Sequence, residues 1–434
     1  MVSVTVRAQP FVLSLLAGFL STGLLFGETE SSDTRAESWR RQRLQKQIQP
    51  YRQKGLEKSL LYLEKKGFQE ILDINFKGFY PKFANLSTGS GFAPGVRFWK
   101  PNIGGSLFDL QSSANFSTRG YEQYELQFGN FYLGAQEYFL GANLVVSGPQ
   151  LVVVTREKKS FLYGAVRYRH FPQEDFFGVG PESSESDRTN YLLQDTAYVA
   201  VFGYQFERWL GVGARTGFLQ SDVGSGTDER YPSTETLFDD QSAPGLAEQP
   251  DFFHLSTAVF FDFRDLPGKP HKGGLLGLSY SRFDDLDDNQ FQFNRYAFDA
   301  RGYLPLGSVA RVFAVRFFAS FDDAPSGSRV PFYLQDTLGG SQTLRGFREF
   351  RFRDTNLMYL SGEYRWEAAP AIEGAFFYDA GKVFNDRSDF DFAGLEKSYG
   401  VGVRFKTKNA VVFRFDIGRS NEGTRIFFKF APTF

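Results

Sequence analysis

The sequence predicts an all-β fold, a transmembrane antiparallel β-barrel of about 16 strands with a short N-terminal helix. Aromatic residues make up 18% of the 434 residues, with 51 Phe against only 4 Trp, and 44 residues are Gly. After the N-terminus, no run of about 18 apolar residues is present to form a spanning helix. Hydrophobic residues instead recur in short segments in which apolar and polar positions alternate, which is the pattern of membrane strands.

Charge and cysteine content exclude several classes of function. The net charge is −1, which offers no electrostatic argument for binding a polyanion, so we expect no nucleic-acid partner. The chain has no Cys, which excludes disulfides, thiol chemistry and zinc sites built on Cys. Absence of Cys also suits an oxidising compartment, in which a stray thiol is a hazard.

Residues 1–27 have the organisation of a secretory signal peptide. Arg7 is followed by an apolar stretch over 11–26 and then by Gly27. The alternative is a single membrane anchor, but about 16 apolar residues interrupted by Ser and Gly are short for one. No Cys follows the apolar stretch, which excludes a lipoprotein anchor. We therefore predict that this segment is cleaved.

Residues 28–70 are predicted to be a charged periplasmic segment that ends in a short amphipathic helix. Leu56, Leu60 and Leu63 lie at i, i+4 and i+7, on one face of a helix. Gly67 is placed to end this helix. Two positions for it stay open, one on the periplasmic rim of the barrel and one inside the barrel as a plug.

The barrel is predicted over 71–434, and its alternation is clearest near the C-terminus. In two segments the alternation places Glu363 and Asp379 on the polar face, which points to the inside of a barrel. A Lys or Arg on the lipid face costs about 2–4 kcal/mol at mid-depth, so the polar face has to point inward. In the last segment, one face carries Ile426, Phe428, Phe430 and Phe434, and the other carries Arg425 and Lys429.

Counting the alternating segments yields about 16 strands. One of them covers 160–171, and His170 would lie at its end. The apolar stretch 137–158 fits this count poorly, and an extra hairpin there would raise the number to 18.

Connection lengths predict the orientation of the barrel, because such barrels have short periplasmic turns and longer extracellular loops. The link 266–273 is expected to be periplasmic, and the links 172–189 and 222–251 are expected to be extracellular. The C-terminus then lies in the periplasm. The loop 323–356 starts outside the cell and has to fold inward if it is to reach carboxylates on the inner wall.

The middle of this loop, 338–354, is too rich in Gly and in charge to be a strand. Gly339 and Gly340 permit backbone angles that other residues avoid. Arg345 is flanked by Leu344 and by Gly346 and Phe347, so a permanent charge lies among apolar groups. A buried guanidinium needs a carboxylate partner. Two downstream mid-strand carboxylates, Glu363 and Asp379, are the candidates.

Three motifs in order resemble the BamA/TamA superfamily of outer-membrane barrels. The first resembles the signature loop of that family, and the others, 362–365 and 377–381, resemble the two strand motifs that follow it. The resemblance implies that Arg345 folds into the barrel and pairs with Glu363 and Asp379. The loop motif consists of Leu344, Arg345, Gly346 and Phe347.

The resemblance also implies a location and partners. It places the protein in the outer membrane of a Gram-negative-type bacterium, as a monomeric barrel in contact with outer-membrane lipids. Phe430 and the terminal Phe434 resemble the C-terminal sorting signal of outer-membrane proteins. Only about 45 residues separate the signal peptide from the first strand, which is too short for the POTRA domains that the family carries ahead of its barrel. This weakens any function that needs those domains.

The sequence contains no catalytic constellation. His170, His254 and His271 share no spacing and have no pair of acidic residues close by in sequence, so neither a metal site nor a hydrolase can be built from a motif. The acidic run 284–288 suits calcium in principle, but solvated loop charge is the simpler interpretation. We predict that the protein is not an enzyme and that it uses no cofactor or metal.

Three functions stay open at this stage. The family resemblance favours an assembly or translocation factor that helps to insert or translocate unfolded outer-membrane or secreted proteins, or lipids. The alternative is a passive or gated pore whose width the loop sets. The third is a structural or adhesive surface protein that uses its extracellular loops.

Overall fold

The structure is a computed structural model, and it describes residues 77–84, 86–87, 89–106, 108–130, 160–369, 371–406 and 411–429. The predicted signal peptide (1–27), the charged segment and helix (28–70), the stretch 137–158, Phe430 and Phe434 all lie outside the described residues. No helix in the described part of the chain is long and apolar enough to cross a membrane.

The described residues form 18 strands and five short 3-10 turns. The strands are β1 (Phe79–Ala84), β2 (Ala93–Lys100), β3 (Asp109–Phe116), β4 (Glu122–Asn130), β5 (Ser160–Phe176), β6 (Thr189–Glu207), β7 (Leu210–Ser225), β8 (Phe252–Asp262), β9 (Gly273–Asp285), β10 (Phe293–Leu306), β11 (Ser308–Asp323), β12 (Asp336–Leu338), β13 (Phe352–Asp354), β14 (Asn356–Ala369), β15 (Ile372–Phe384), β16 (Glu396–Lys406), β17 (Val411–Ser420) and β18 (Gly423–Lys429). The 3-10 turns are Ile103–Gly105, Glu185–Asp187, Thr234–Thr236, Phe332–Leu334 and Arg387–Asp389.

Sixteen of these strands form one sheet in which each strand pairs with its neighbours along the chain. The pairing is antiparallel throughout, as short connections require. The β12–β13 hairpin stands apart, so β11 pairs directly with β14. Within the described residues, β1 and β18 are the two edges of the sheet. The predicted number of about 16 strands agrees with this sheet, whereas closure into a barrel stays a prediction.

The predicted alternation is confirmed on the C-terminal strands. On β15, Phe376 and Tyr378 are 54% and 50% exposed, whereas Phe377 and Asp379 are buried. A large exposed aromatic side chain is costly in water and favourable in lipid, so the exposed face is the one that suits a membrane. We call the opposite, buried and polar face the inner face.

The predicted end of β5 is wrong, and so is the predicted start of the link that follows it. Strand β5 does not end near His170 but continues to Phe176, so the first part of the predicted link 172–189 is strand. The pairing register shifts between Phe171 and Glu174. This bulge accommodates Pro172, which has no N–H to donate to a regular ladder.

The segment 338–354 was predicted to contain no strand, and this is wrong at both ends. Leu338 belongs to β12, and Phe352 begins β13. The two strands pair over three residues and form a small hairpin. The hairpin reverses where the predicted loop glycines begin, so the glycine-rich part is indeed not strand.

The largest apolar cluster lies on the inner face, at the end of the sheet that carries the long loops. We call it the aromatic plug. It packs the Phe332–Leu334 turn of the long loop against β5–β10. Its buried residues are Tyr121, Phe171, Phe176, Tyr191, Leu193, Ala197, Leu219, Val223, Ala243, Phe252, Phe283, Phe291, Phe293, Val330, Phe332, Tyr333 and Leu334.

Candidate functional site

The loop between β11 and β14, residues 324–355, folds back over the inner face. Two glycines permit its sharp reversal, because Gly339 and Gly340 have φ of 114° and 84°. A Cβ on Gly339 would lie 2.1 Å from the carbonyl oxygen of Arg348, so no other residue fits there without a backbone shift. The reversal brings the tip, 344–347, against β14–β17.

Arg345 at this tip is fully buried and contacts both predicted carboxylates. Its Nε donates to Asp379 Oδ2 at 2.8 Å, and its Nη2 donates to Asp379 Oδ1 at 2.7 Å. Its Nη1 donates to Glu363 Oε1. Ser361 Oγ accepts from Nη2 at 3.2 Å. The guanidinium also lies 3.6 Å from the ring centroid of Phe377, which adds a cation–π contact.

The apolar members of the loop motif are buried beside this charge. Leu344 and Phe347 have no exposed surface, and they pack in a cluster with six further side chains of the loop and of the strands beneath it. These six are Phe318, Leu338, Phe352, Leu357, Tyr359 and Val383. An apolar surround removes water from the ion pairs, which strengthens them electrostatically.

A glycine of β17 lets the tip lie directly on the sheet. A Cβ on Gly418 would lie 2.0 Å from the carbonyl oxygen of Arg345. Ser420, two residues later, donates to the carbonyl oxygen of Gly346 at 2.8 Å. The third residue of the loop motif, Gly346, has its own constraint, since a Cβ there would lie 2.6 Å from the backbone of Arg419.

Glu363 is shared by three guanidinium groups. Besides Arg345, it accepts from Arg365 Nε at 2.6 Å and from Arg404 Nη2 at 2.7 Å. All three arginines are buried. These three charge-assisted hydrogen bonds offset the cost of burying the carboxylate.

The charges continue from Glu363 across two more strands and return to the loop. Arg404 lies 3.6 Å from Asp416, and Arg414 donates to the same carboxylate. Arg414 Nη2 also donates to the carbonyl oxygen of Ser341 at 2.6 Å. The loop is therefore held at two points, Arg345 and Ser341, by one continuous network. We call this network, with Glu363 and Asp379, the inner anchor.

A second group of charges holds the same loop near the long-loop end of the sheet. Glu185 Oε1 accepts from Arg348 Nε and from Arg425 Nη2, both at 2.8 Å. Arg348 belongs to the loop, and Arg425 belongs to β18, an edge of the sheet. We call Glu185, Arg348 and Arg425 the outer clasp. Beside it, Arg351 Nη2 donates to the carbonyl oxygen of Ser183 at 2.7 Å.

Sequence reasoning missed the clasp and most of the inner anchor. The alternation of apolar and polar residues in the sequence also puts Arg365, Arg404, Arg414 and Asp416 on the polar face of their strands, which is a signal for a charged inner face. It did not say which charges meet. No sequence signal identified Glu185, because its partners lie 163 and 240 residues away along the chain.

The three histidines do not form a site. His170 contacts Gln194 at 3.3 Å, and His271 contacts Asp265 at 3.1 Å. His254 lies buried beside the ring of Phe283. In the part of the chain that the structure describes, no group of three or more His, Asp or Glu side chains is placed to hold a metal ion.

A sequence profile described as the Omp85 superfamily domain matches residues 95–431. The chain belongs to the Omp85 superfamily. The resemblance to BamA/TamA-type barrels is thereby confirmed, and with it the Gram-negative outer membrane as the location. Omp85 proteins insert or secrete proteins at that membrane, and this chain is in the same class. No curated protein sequence matches the chain.

Solved structures of Omp85-type proteins are similar in fold. BamA from Haemophilus ducreyi lacking POTRA domains 1–3 matches with a TM-score of 0.54 at 14% identity, over 81% of this chain and 68% of that one. CdiB from Escherichia coli matches at 0.49 and 13%, over 82% and 62%. CdiB from Acinetobacter baumannii matches at 0.44 and 13%, over 82% and 56%. The chain thus spans less than two thirds of either CdiB, and the BamA likeness shows a BamA-like all-β fold.

Proposed function

We propose that the protein helps to insert or translocate proteins, or lipids, at the outer membrane, and that Arg345 anchors its inner loop during this work. The observation that carries the proposal is the burial of Arg345 between Glu363 and Asp379. Burying three charges is expensive unless each is paired and hydrogen-bonded. Because the buried charges are paired in this way, we infer that the loop stays docked on the inner face while the protein functions.

A passive or gated pore is the competing function, and the aromatic plug weighs against it. A conducting barrel needs a continuous water-filled path. The plug puts buried rings such as Phe176, Tyr191 and Phe332 on the inner face at the long-loop end, and Phe332 lies within 4.9 Å of the other two rings, centroid to centroid. Dry, packed aromatic rings do not conduct ions or solutes.

The remaining organisation follows from the same proposal. Residues 1–27 would be cleaved as a signal peptide, 28–70 would lie in the periplasm, and 71–434 would close into a monomeric barrel by pairing β1 with β18. Phe430 and Phe434 would direct the unfolded chain to the outer membrane. The barrel would contact outer-membrane lipids, and unfolded outer-membrane or secreted proteins would be its clients.

Depletion of the protein, followed by quantitative analysis of the outer-membrane proteome, tests this function. We expect loss of other barrels or of secreted proteins. Complementation with Arg345→Ala should fail, whereas complementation with Arg230→Ala should succeed. Arg230 is the matched control because it is an exposed loop arginine whose ion pair is with the nearby Asp228.

An unchanged proteome would contradict the assembly function. Large, steady single-channel conductance of the purified protein in planar bilayers would then establish the pore. Low conductance together with an unchanged proteome would leave neither of these functions standing, and would favour the surface-protein function.

A further inference from the structure

The turn between β8 and β9 is unusually elaborate for its end of the sheet. It covers ten residues, 263–272, whereas β10 and β11 at the same end are joined by one residue. Asp265 organises it: its Oδ1 accepts from the backbone N–H of His271 at 2.9 Å and of Lys272 at 3.3 Å. Its Oδ2 lies 3.1 Å from His271 Nδ1. These contacts brace the turn internally.

The root of this turn bends toward the inner face. Arg264 is buried, pairs with Asp262 at 2.9 Å, and donates to the carbonyl oxygen of Pro267 at 3.3 Å. It also interacts with the hydroxyl of Tyr303. Tyr303 packs with Val312 and Ala314 on the inner face of β10 and β11. The turn therefore begins inside the sheet rather than on its outer rim.

The tip of the turn contacts a strand on a distant part of the sheet. The carbonyl oxygen of Gly268 accepts from the backbone N–H of Val411, the first residue of β17, at 3.3 Å. Five strands, β10, β11, β14, β15 and β16, lie between β9 and β17 in the sheet. A ten-residue turn that meets β17 has to cut across the concave side beneath those strands.

Charges near the tip match this path. Lys269 interacts with Lys406, Glu367 and Glu373, which lie at the ends of β16, β14 and β15. Burial lowers the pKa of Lys269, and the nearby charge of Lys406 acts in the same direction. Pro270, next to it, is buried although it lies in a turn. The tip therefore lies against the ends of β14, β15, β16 and β17.

We propose that residues 263–272 form a strap across the periplasmic opening, and that the strap is closed on β17 by the hydrogen bond between Gly268 and Val411. This strap has to swing away before a polypeptide enters the barrel from the periplasm. The strap is anchored at its root by Arg264 and stiffened by Asp265. At its far end the strap is held by one backbone hydrogen bond, beside which lie lysine and carboxylate charges. This far end is held more weakly than the root. Opening is thus a pivot about the root.

The absence of Cys from the chain makes this directly testable. Gly268→Cys combined with Val411→Cys places two thiols at residues joined by a 3.3 Å backbone hydrogen bond, a separation that suits a disulfide. Gly268 does not have a left-handed φ, so its backbone conformation is one that a residue with a side chain can adopt. In the full-length protein in outer membranes, mild oxidation should cross-link this pair, as seen by mass spectrometry after proteolysis.

The control pair is Gly268→Cys with Arg208→Cys, an exposed position in the β6–β7 turn at the same end. A cross-linked fraction for the 268/411 pair no higher than for the control would overturn the strap. The cross-linking result does not depend on whether the protein assembles other barrels. Failure of the strap proposal can therefore be distinguished from failure of the proposed function.

Access to the inner face tests the closing role. Val312→Cys introduces a thiol on the inner face near the strap root. Replacing 264–271 by Asn-Gly should raise its rate of maleimide labelling from the periplasmic side about tenfold, equivalent to about 1.4 kcal/mol in the opening equilibrium. Oxidation of the 268/411 pair should lower the rate. Unchanged labelling in the shortened variant, with heat-modifiable mobility confirming that it folds, would overturn the closing role.

Discussion

The inner anchor and the outer clasp hold the same loop with the same chemistry, but they differ in burial. Arg345, Glu363 and Asp379 have no exposed side-chain surface. In the clasp, about a third of Arg348 and of Glu185 is exposed, at 33% and 32%. Hydrogen-bond lengths are alike, at 2.7–2.8 Å. Hydrogen-bond length therefore does not distinguish the two groups, whereas exposure to solvent does.

This difference decides what each group contributes. Removing one partner of a buried pair leaves an uncompensated charge without water, which is strongly destabilising. Removing one partner of an exposed pair leaves a charge that water solvates, at little cost. We infer that the anchor determines whether the loop is docked, and that the clasp adjusts how firmly its outer part lies on β18.

Arg345→Ala should produce the largest effect. It takes from buried Asp379 the guanidinium that neutralises it and leaves Glu363 with two of its three arginines, and the loss of docking should amount to about 3–5 kcal/mol. Protease access to the loop on intact cells measures it. Arg345→Lys should fall between wild type and Ala, because an ammonium cannot reproduce the bidentate contact with Asp379. Unchanged protease access in the Ala variant would show that the inner anchor does not hold the loop in its docked position.

Gly418→Ala tests the anchor without touching a charge. The added methyl would lie 2.0 Å from the carbonyl oxygen of Arg345, so the tip has to move. Overpacking of this kind costs about 1–3 kcal/mol, and it should appear as increased protease access at the loop. Gly213→Ala on β7 is the control, because its Cβ would meet nothing closer than 3.7 Å. Equal behaviour of the two variants would show that the tip does not lie on β17.

Glu185→Gln should have a small effect. It removes the charge that Arg348 and Arg425 share, in a place where water screens it, so we expect a loss of about 0–1 kcal/mol. Salt should weaken the wild-type clasp and leave the Gln variant almost unchanged. Hydrogen exchange of β18, measured in detergent at two salt concentrations, checks this. An effect as large as that of Arg345→Ala would reverse the ranking of the two groups.

The pH response of the clasp should be smaller still. Burial by itself raises the pKa of Glu185, but the hydrogen bond from Arg348 and the charge of Arg425 outweigh it and hold that pKa below its usual value. The contribution of a carboxylate with a depressed pKa is fully present above the unfolded pKa and is lost as pH falls through the folded pKa. The clasp's contribution to the protection of β18 amides, corrected for the pH dependence of intrinsic exchange, should therefore be lost only below about pH 4.3. Glu185→Gln should abolish this response, and a response that persists would assign it to another group.

Sequence predicted well where the governing rule is local. A period of two along the chain decides which face of a strand meets lipid, so the faces of β14–β17 and the sheet of about 16 strands could be predicted. The motif around Arg345, with its two downstream acidic residues, indicated which charges could meet. Local rules failed at Pro172, where a bulge lets β5 continue, and at the short β12–β13 hairpin.

The sequence by itself determined the strands, their faces and the identity of the loop that has to fold inward. The reason is that the alternation of apolar and polar residues depends only on positions that are neighbours along the chain. Only the tertiary structure decided that Arg414 closes the charge network onto Ser341, that Glu185 joins the loop to β18, and that Gly268 reaches Val411. These contacts join residues 73 to 240 positions apart. Their formation depends on how the sheet curves and where its loops cross, which no local pattern specifies.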